Sequence, residues 1–120
     1  MALSIKKIRV GIVGCGAIGS RIAKSIRHEL KTNFELAGLF DIKTPKAIDL
    51  EKILSGKKLT KKSLKELLRN CDLVVEAVNA PDTTGIIKEA IKAKKHVLAM
   101  SVGKLLNAAE IFRLATKNHC

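Results

Sequence analysis

The chain has 120 residues and a formal net charge of +12, from 23 Lys and Arg against 11 Asp and Glu. That length suits one domain, residues 1–120, burying about two thirds of its unfolded surface without staples, while three cysteines lacking any Cys-x-x-Cys spacing exclude a disulfide scaffold and suit a reducing, cytoplasmic setting. No apolar run approaches the ~20 residues of a bilayer span, and with no Trp or Tyr the stacking platforms of specific nucleic-acid binders are missing, so the lysine excess reads as a solvated face that attracts polyanions without recognising them.

Residues 7–13 are largely apolar on both faces, as a central parallel strand covered by helices should be. Gly14-Cys15-Gly16-Ala17-Ile18-Gly19 follows, and Ile18, Ile22, Ala23, Ile26 and Leu30 then recur at helical spacing, predicting a helix over 17–30. A second strand over 34–40 closes on Asp41. Thr44 as N-cap and Pro45 at the first helical position predict a helix that ends at Gly56. A short third strand is expected at 58–60. Ser63 and Glu66 form a capping box before a two-turn helix ending near Asn70. The fourth strand, 72–78, precedes a helix started by Pro81 and Asp82, with Ile86, Ile87, Ala90 and Ile91 facing inward. The fifth strand is 95–100, and Asn107 with Glu110 opens a last helix to about Asn118.

Strands alternating with helices require crossover connections, which are almost always right-handed. The expected fold is therefore α/β, a doubly wound parallel sheet of Rossmann type with strand order 3-2-1-4-5 and a ligand at the switch point between strands one and four.

The glycine triplet has the chemistry of a dinucleotide site. Gly14 allows a tight turn off the strand, Gly16 lets the backbone approach a pyrophosphate, and Gly19 lets the helix lie close on the sheet. The anion faces the amides of Ala17, Ile18 and Gly19 at the positive end of the helix dipole. Asp41, about 20 residues on, is placed to accept from a ribose diol. That favours NAD, while Lys43 keeps NADP open through a salt bridge to a 2′-phosphate. Ala77, Val78 and Asn79 after the fourth strand, and Ser101 after the fifth, face the nicotinamide side; Asn79 serves equally well as a turn residue.

Other residues carry no chemistry in this reading. Cys15 fills the variable position of the turn, with no partner base to make it a nucleophile. Glu76 is expected to be a half-buried structural carboxylate. His28, His96 and His119 fit neither a metal site nor a triad, so no catalytic and no metal-binding residue is assigned. Abundant Lys and Glu with no Gln give a thermophile-like composition.

The stretches Val10 through Gly19, Leu73-Val74-Val75-Glu76-Ala77 and Val97-Leu98-Ala99-Met100-Ser101-Val102-Gly103 together resemble the amino-terminal half of the L-aspartate dehydrogenase family. Homoserine dehydrogenases and the glucose–fructose oxidoreductase group are similar at greater distance. The resemblance implies an NAD(P)-dependent oxidoreductase that passes hydride between an amino acid and nicotinamide. It also implies longer proteins, in which a second, α+β domain supplies the substrate pocket and the catalytic histidine. His119 does not match that histidine, so the chain is expected to bind dinucleotide without catalysing by itself, and to associate with a separate catalytic domain or with itself. Two alternatives stay open: a nucleotide-sensing module acting through a protein partner, and a nucleic-acid binder with a vestigial pocket.

Overall fold

The computed structural model describes residues 6–54, 58–78, 83–100, 113 and 115–118. Four parallel strands, β1 (Ile8–Val13), β2 (Phe34–Phe40), β3 (Leu73–Glu76) and β4 (His96–Ala99), form one sheet in the order β2-β1-β3-β4. Helices α1 (Ala17–Arg27), α2 (Thr44–Leu54), α3 (Leu64–Arg69) and α4 (Thr83–Lys92) connect them.

Alternation along the strands sends side chains into two separate cores. Val10, Ile12, Leu36 and Leu39 pack with Ala23 and Ile26 of α1 and with Ala47 and Leu50 of α2. Val13 and Val74 point the other way, onto Leu67 and Leu68 of α3 and Ile86 and Ala90 of α4. A sheet covered on both sides needs apolar residues at successive positions, which is why these strands read as continuous hydrophobic runs.

The expected third strand is reduced to a single parallel bridge between Leu39 and Thr60, held by Leu39 N–H to the Leu59 carbonyl and Lys61 N–H to the Leu39 carbonyl, each at 2.8 Å. Glu51 of α2 accepts the amides of Leu59 and Thr60 instead, which stops the ladder from extending. With this segment counted outside β2, the sheet has the expected 3-2-1-4-5 order.

Other boundaries moved by a few residues. Helix α1 stops at Arg27 rather than near Leu30, because the His28 amide bonds back to Lys24 and Ser25 and the polar stretch 28–33 turns toward β2. Thr44 is the first residue of α2 rather than its cap. The capping box forms with a shifted return: Ser63 Oγ accepts from Glu66 N–H at 3.1 Å, while the Glu66 carboxylate accepts from Lys62 N–H at 3.2 Å. The expected residues Gly56, Pro81 and Asp82 lie outside the described residues. Of the last expected helix, residues 113 and 115–117 are helical, and the rest lies outside them too. No described helix is long and apolar enough to cross a membrane.

Candidate functional site

The carboxyl ends of β1 and β3 meet where the chain reverses direction across the sheet, and the glycine loop lies in that gap. Gly14 donates to the Phe40 carbonyl at 2.8 Å, tying the loop to the end of β2. Its φ of +100° belongs to the region glycine alone adopts without strain. A Cβ there would stand 2.5 Å from the Ala77 carbonyl oxygen. At Gly19 a Cβ would collide with the Gly14 carbonyl, so the first turn of α1 can lie this close to the loop only because both residues lack side chains. Gly16 differs from both: a Cβ there would meet nothing within 4 Å. The space above it is open, and the absence of a side chain leaves the backbone accessible from the cleft. Gly16 is also the N-cap of α1, with no side-chain cap and no acidic residue in the first turn, so the helix presents bare amides and positive dipole to that space.

Asp41 turns toward this loop. One carboxylate oxygen accepts from Cys15 N–H and the other from Lys43 N–H, both at 2.8 Å. Each oxygen keeps a second lone pair for another donor. These bonds set the orientation of the carboxylate at the rim of a cleft of about 760 Å³, lined by Gly14, Gly16, Ala17, Ile18, Asp41, Ala77 and Val78, all expected from sequence, with Gly19 packed beneath. Asn79 and Ser101 lie outside the described residues.

The cleft has contributors that the sequence reading did not assign. Lys46 joins Lys43 on its wall. Their three-residue spacing at the start of a helix was the available signal, since it puts both on one side of the turn after β2. Ile42 is 69% exposed and Ile18 is 53% exposed, so the cleft offers bare apolar surface as well as charge. Met100 and Ile86 line the far end beside Val78.

Glu76 is fully buried, not half buried, because β3 is a central strand with helices on both faces. Its carboxylate accepts from Val78 N–H at 2.8 Å and so fixes the segment that leaves β3 for the cleft. Cys15 is buried with its Sγ 3.8 Å from the Phe40 carbonyl. Burial, reinforced by the Asp41 charge, pushes the thiol up to about 12, so it favours the protonated form at neutral pH. His28 follows α1 and His96 opens β4, both at the opposite end of the sheet from the cleft. Among the described residues no group of His, Cys, Asp and Glu could hold a metal ion.

The NAD-binding domain family of homoserine dehydrogenase matches residues 14–120. The chain belongs to that family. As an NAD-binding domain it has the cofactor class that the glycine motif led to. The expected resemblance is also borne out: the chain is 33% identical over 116 residues to L-aspartate dehydrogenase of Methanosarcina barkeri, covering 94% of this chain and 42% of that protein. It is 33% identical over 108 residues to L-aspartate dehydrogenase of Methanocaldococcus jannaschii, covering 89% and 40%. The NAD-binding domain thus spans about two fifths of the length of these relatives. Its fold is similar to that of part of the WlbA dehydrogenase from Bordetella pertussis in complex with NADH and UDP-GlcNAcA, with a TM-score of 0.81 at 21% identity over 95% of this chain and 35% of that one. GenD2 from gentamicin A biosynthesis, in complex with NAD, gives a TM-score of 0.77 at 21% identity over 98% and 34%.

Proposed function

We propose that this chain is the cofactor-binding part of an L-aspartate dehydrogenase-like oxidoreductase, and that it binds the dinucleotide without turning over substrate by itself. The observation that carries the reading is the open cradle at Gly16 beside the oriented carboxylate of Asp41. The amides of Ala17, Ile18 and Gly19 hold the pyrophosphate, and the close contact of Gly14 with Ala77 keeps the loop from folding into the space it needs. Asp41 accepts from the ribose hydroxyls, while the exposed side chain of Ile42 offers the adenine an apolar surface. Ala77 and Val78, with Asn79 and Ser101, border the nicotinamide. When bound, that ring supplies the hydride acceptor; the small side chains of this chain give it room and exclude water from one face.

Leu98 and Met100 are exposed on and just after β4, the outermost strand of the described sheet on that side. This apolar edge suits docking of the remainder of an oxidoreductase or a second copy of the chain. The test is titration of the protein with NADH and NADPH, followed by nicotinamide fluorescence. Wild type binds NADH more tightly than NADPH. In Asp41→Asn the repulsion of a 2′-phosphate is removed while Lys43 and Lys46 remain, so the preference shifts toward NADPH by about tenfold, equivalent to ~1.4 kcal/mol. Equal binding of both cofactors by wild type and variant would remove Asp41 from the site.

A further inference from the structure

We infer that Glu76 is a positioning residue for the nicotinamide end of the cleft: its buried carboxylate fixes the orientation of the Ala77–Val78 peptide that lines this end. The inference rests on the cofactor reading above and adds a residue to it.

Glu76 ends β3, paired with Val13 of β1 and Ala99 of β4 in the register of the sheet. By strand alternation its side chain shares the face of Val74, where the core holds Val13, Leu68 and Ile86. It is fully buried there. A carboxylate is costly to bury, and a leucine would fill the same place without that cost. Packing alone therefore does not account for the residue, and its hydrogen bonds point to the cleft.

One carboxylate oxygen accepts from Val78 N–H at 2.8 Å. The Glu76 backbone carbonyl accepts from Met100 N–H, and the next amide, Ala77 N–H, donates to the Val13 carbonyl, each at 2.8 Å. Ala77, Val78 and Met100 all line the cleft, so this side of it is hung on Glu76 and its immediate neighbour.

The same peptide also meets the glycine loop. A Cβ on Gly14 would stand 2.5 Å from the Ala77 carbonyl oxygen and 3.0 Å from the Val78 nitrogen, so the peptide lies against the bare Cα of Gly14. In a trans peptide the N–H and C=O point in opposite directions. With the N–H drawn to Glu76, the Ala77 oxygen is turned away from the carboxylate. Turned over, the peptide would set that oxygen against the acceptor oxygens of Glu76 and forfeit the Val78 bond. The other end of the cleft is held by separate bonds, Gly14 N–H to the Phe40 carbonyl and Asp41 to the Cys15 and Lys43 amides. Glu76 thus sets one wall without touching ligand.

The test uses the whole chain and two probes: NADH, and ADP, which carries the adenosine and both phosphates without the second ribose and the nicotinamide. Calorimetry gives both affinities for wild type, Glu76→Leu and Glu76→Gln. Glu76→Leu, similar in size but without an acceptor, should weaken NADH about tenfold and ADP less than about twofold. Its bound NADH should also shift in nicotinamide emission toward the free cofactor. Glu76→Gln, whose amide oxygen can accept from Val78, should bring NADH back to within about threefold of wild type. If Glu76→Leu does not fold, Glu76→Asp, which withdraws the carboxylate by one methylene, should show the same selective loss. Equal weakening of both probes in the folded variant would make Glu76 a purely structural residue and overturn the inference, with the cofactor site left in place. Unchanged NADH affinity in that variant would overturn it too. A wild-type chain that binds neither probe would remove the cofactor reading itself, and this inference with it.

Discussion

Gly14, Gly16 and Gly19 share a side chain of hydrogen but differ in what surrounds it, and that difference separates folding from binding at single-residue resolution. Gly14→Ala puts a Cβ at a φ of +100° and against the Ala77 carbonyl, and Gly19→Ala drives one into the Gly14 carbonyl. Each should cost roughly 2 kcal/mol or more in chemical denaturation, through backbone strain and a contact with backbone that cannot rotate away. Gly16→Val adds a side chain to open space. Its melting temperature should stay close to wild type while NADH affinity falls at least tenfold, because the branched side chain occupies the pyrophosphate position. A Gly16→Val protein that keeps wild-type NADH affinity would mean the phosphates bind elsewhere. The glycine pattern was legible in sequence because the loop is local: six adjacent residues between a strand and a helix. The grip of Asp41 on the Cys15 amide was not legible, since those residues are 26 apart and meet only when β1 and β2 pair in register. Lys46 was missed for a related reason, because its side of the cleft is defined by where α2 begins.

At the scale of elements, β1 and β3 are fastened at their amino ends by one pair of side chains. Asp72 accepts from the Arg9 backbone amide at 3.0 Å and from its guanidinium, while its own amide donates to the Arg9 carbonyl at 2.8 Å. The hydrogen bonds from Arg9 hold the Asp72 carboxyl at about 2, below the ordinary 3.8. A depressed carboxyl stabilises the fold above its unfolded value, and that contribution is lost as pH falls through the folded one. Wild type should therefore exceed Asp72→Asn in urea midpoint at pH 6 by a small margin, as suits a half-exposed pair. The gap should close between about pH 4 and pH 2. A gap that persists unchanged at pH 2 would assign the effect to the backbone bonds alone. Sequence patterning located these elements well where burial on both faces makes apolar runs, as in β1 and β2, and where inward residues recur at helical spacing, as Ile86, Ile87, Ala90 and Ile91 do in α4. It over-extended the strand at 58–60, because the competitor for its amides, Glu51, comes from a different element. It also over-extended α1, where Leu30 fitted the helical period but the polar residues after Arg27 turn the chain instead.

At the scale of the molecule, the parallel sheet gathers the carboxyl ends of all four described strands at one cleft, the candidate cofactor cleft. Within the cofactor cleft the titratable residues Asp41, Lys43 and Lys46 sit together on the β2 side, whereas Ala77, Val78, Ile86 and Met100 line the other side without one. Hydride transfer from an amino acid needs a substrate carbon within about 3.5 Å of the nicotinamide and an acid or base in reach. On that side the one described carboxylate, Glu76, is buried beneath the lining and held by the Val78 amide. The 120 residues should therefore bind NADH with ordinary micromolar affinity and yet give no L-aspartate-dependent NADH formation. Fusing them ahead of the remainder of the Methanosarcina barkeri relative should restore NADH formation with L-aspartate, and Gly16→Val in the fusion should abolish it while leaving the fusion folded. Steady turnover of L-aspartate by the purified chain alone would show that the proton-handling group lies within these 120 residues after all. A fusion that binds NADH but never turns over would instead separate the cofactor site from the aspartate chemistry and leave only the former to this chain.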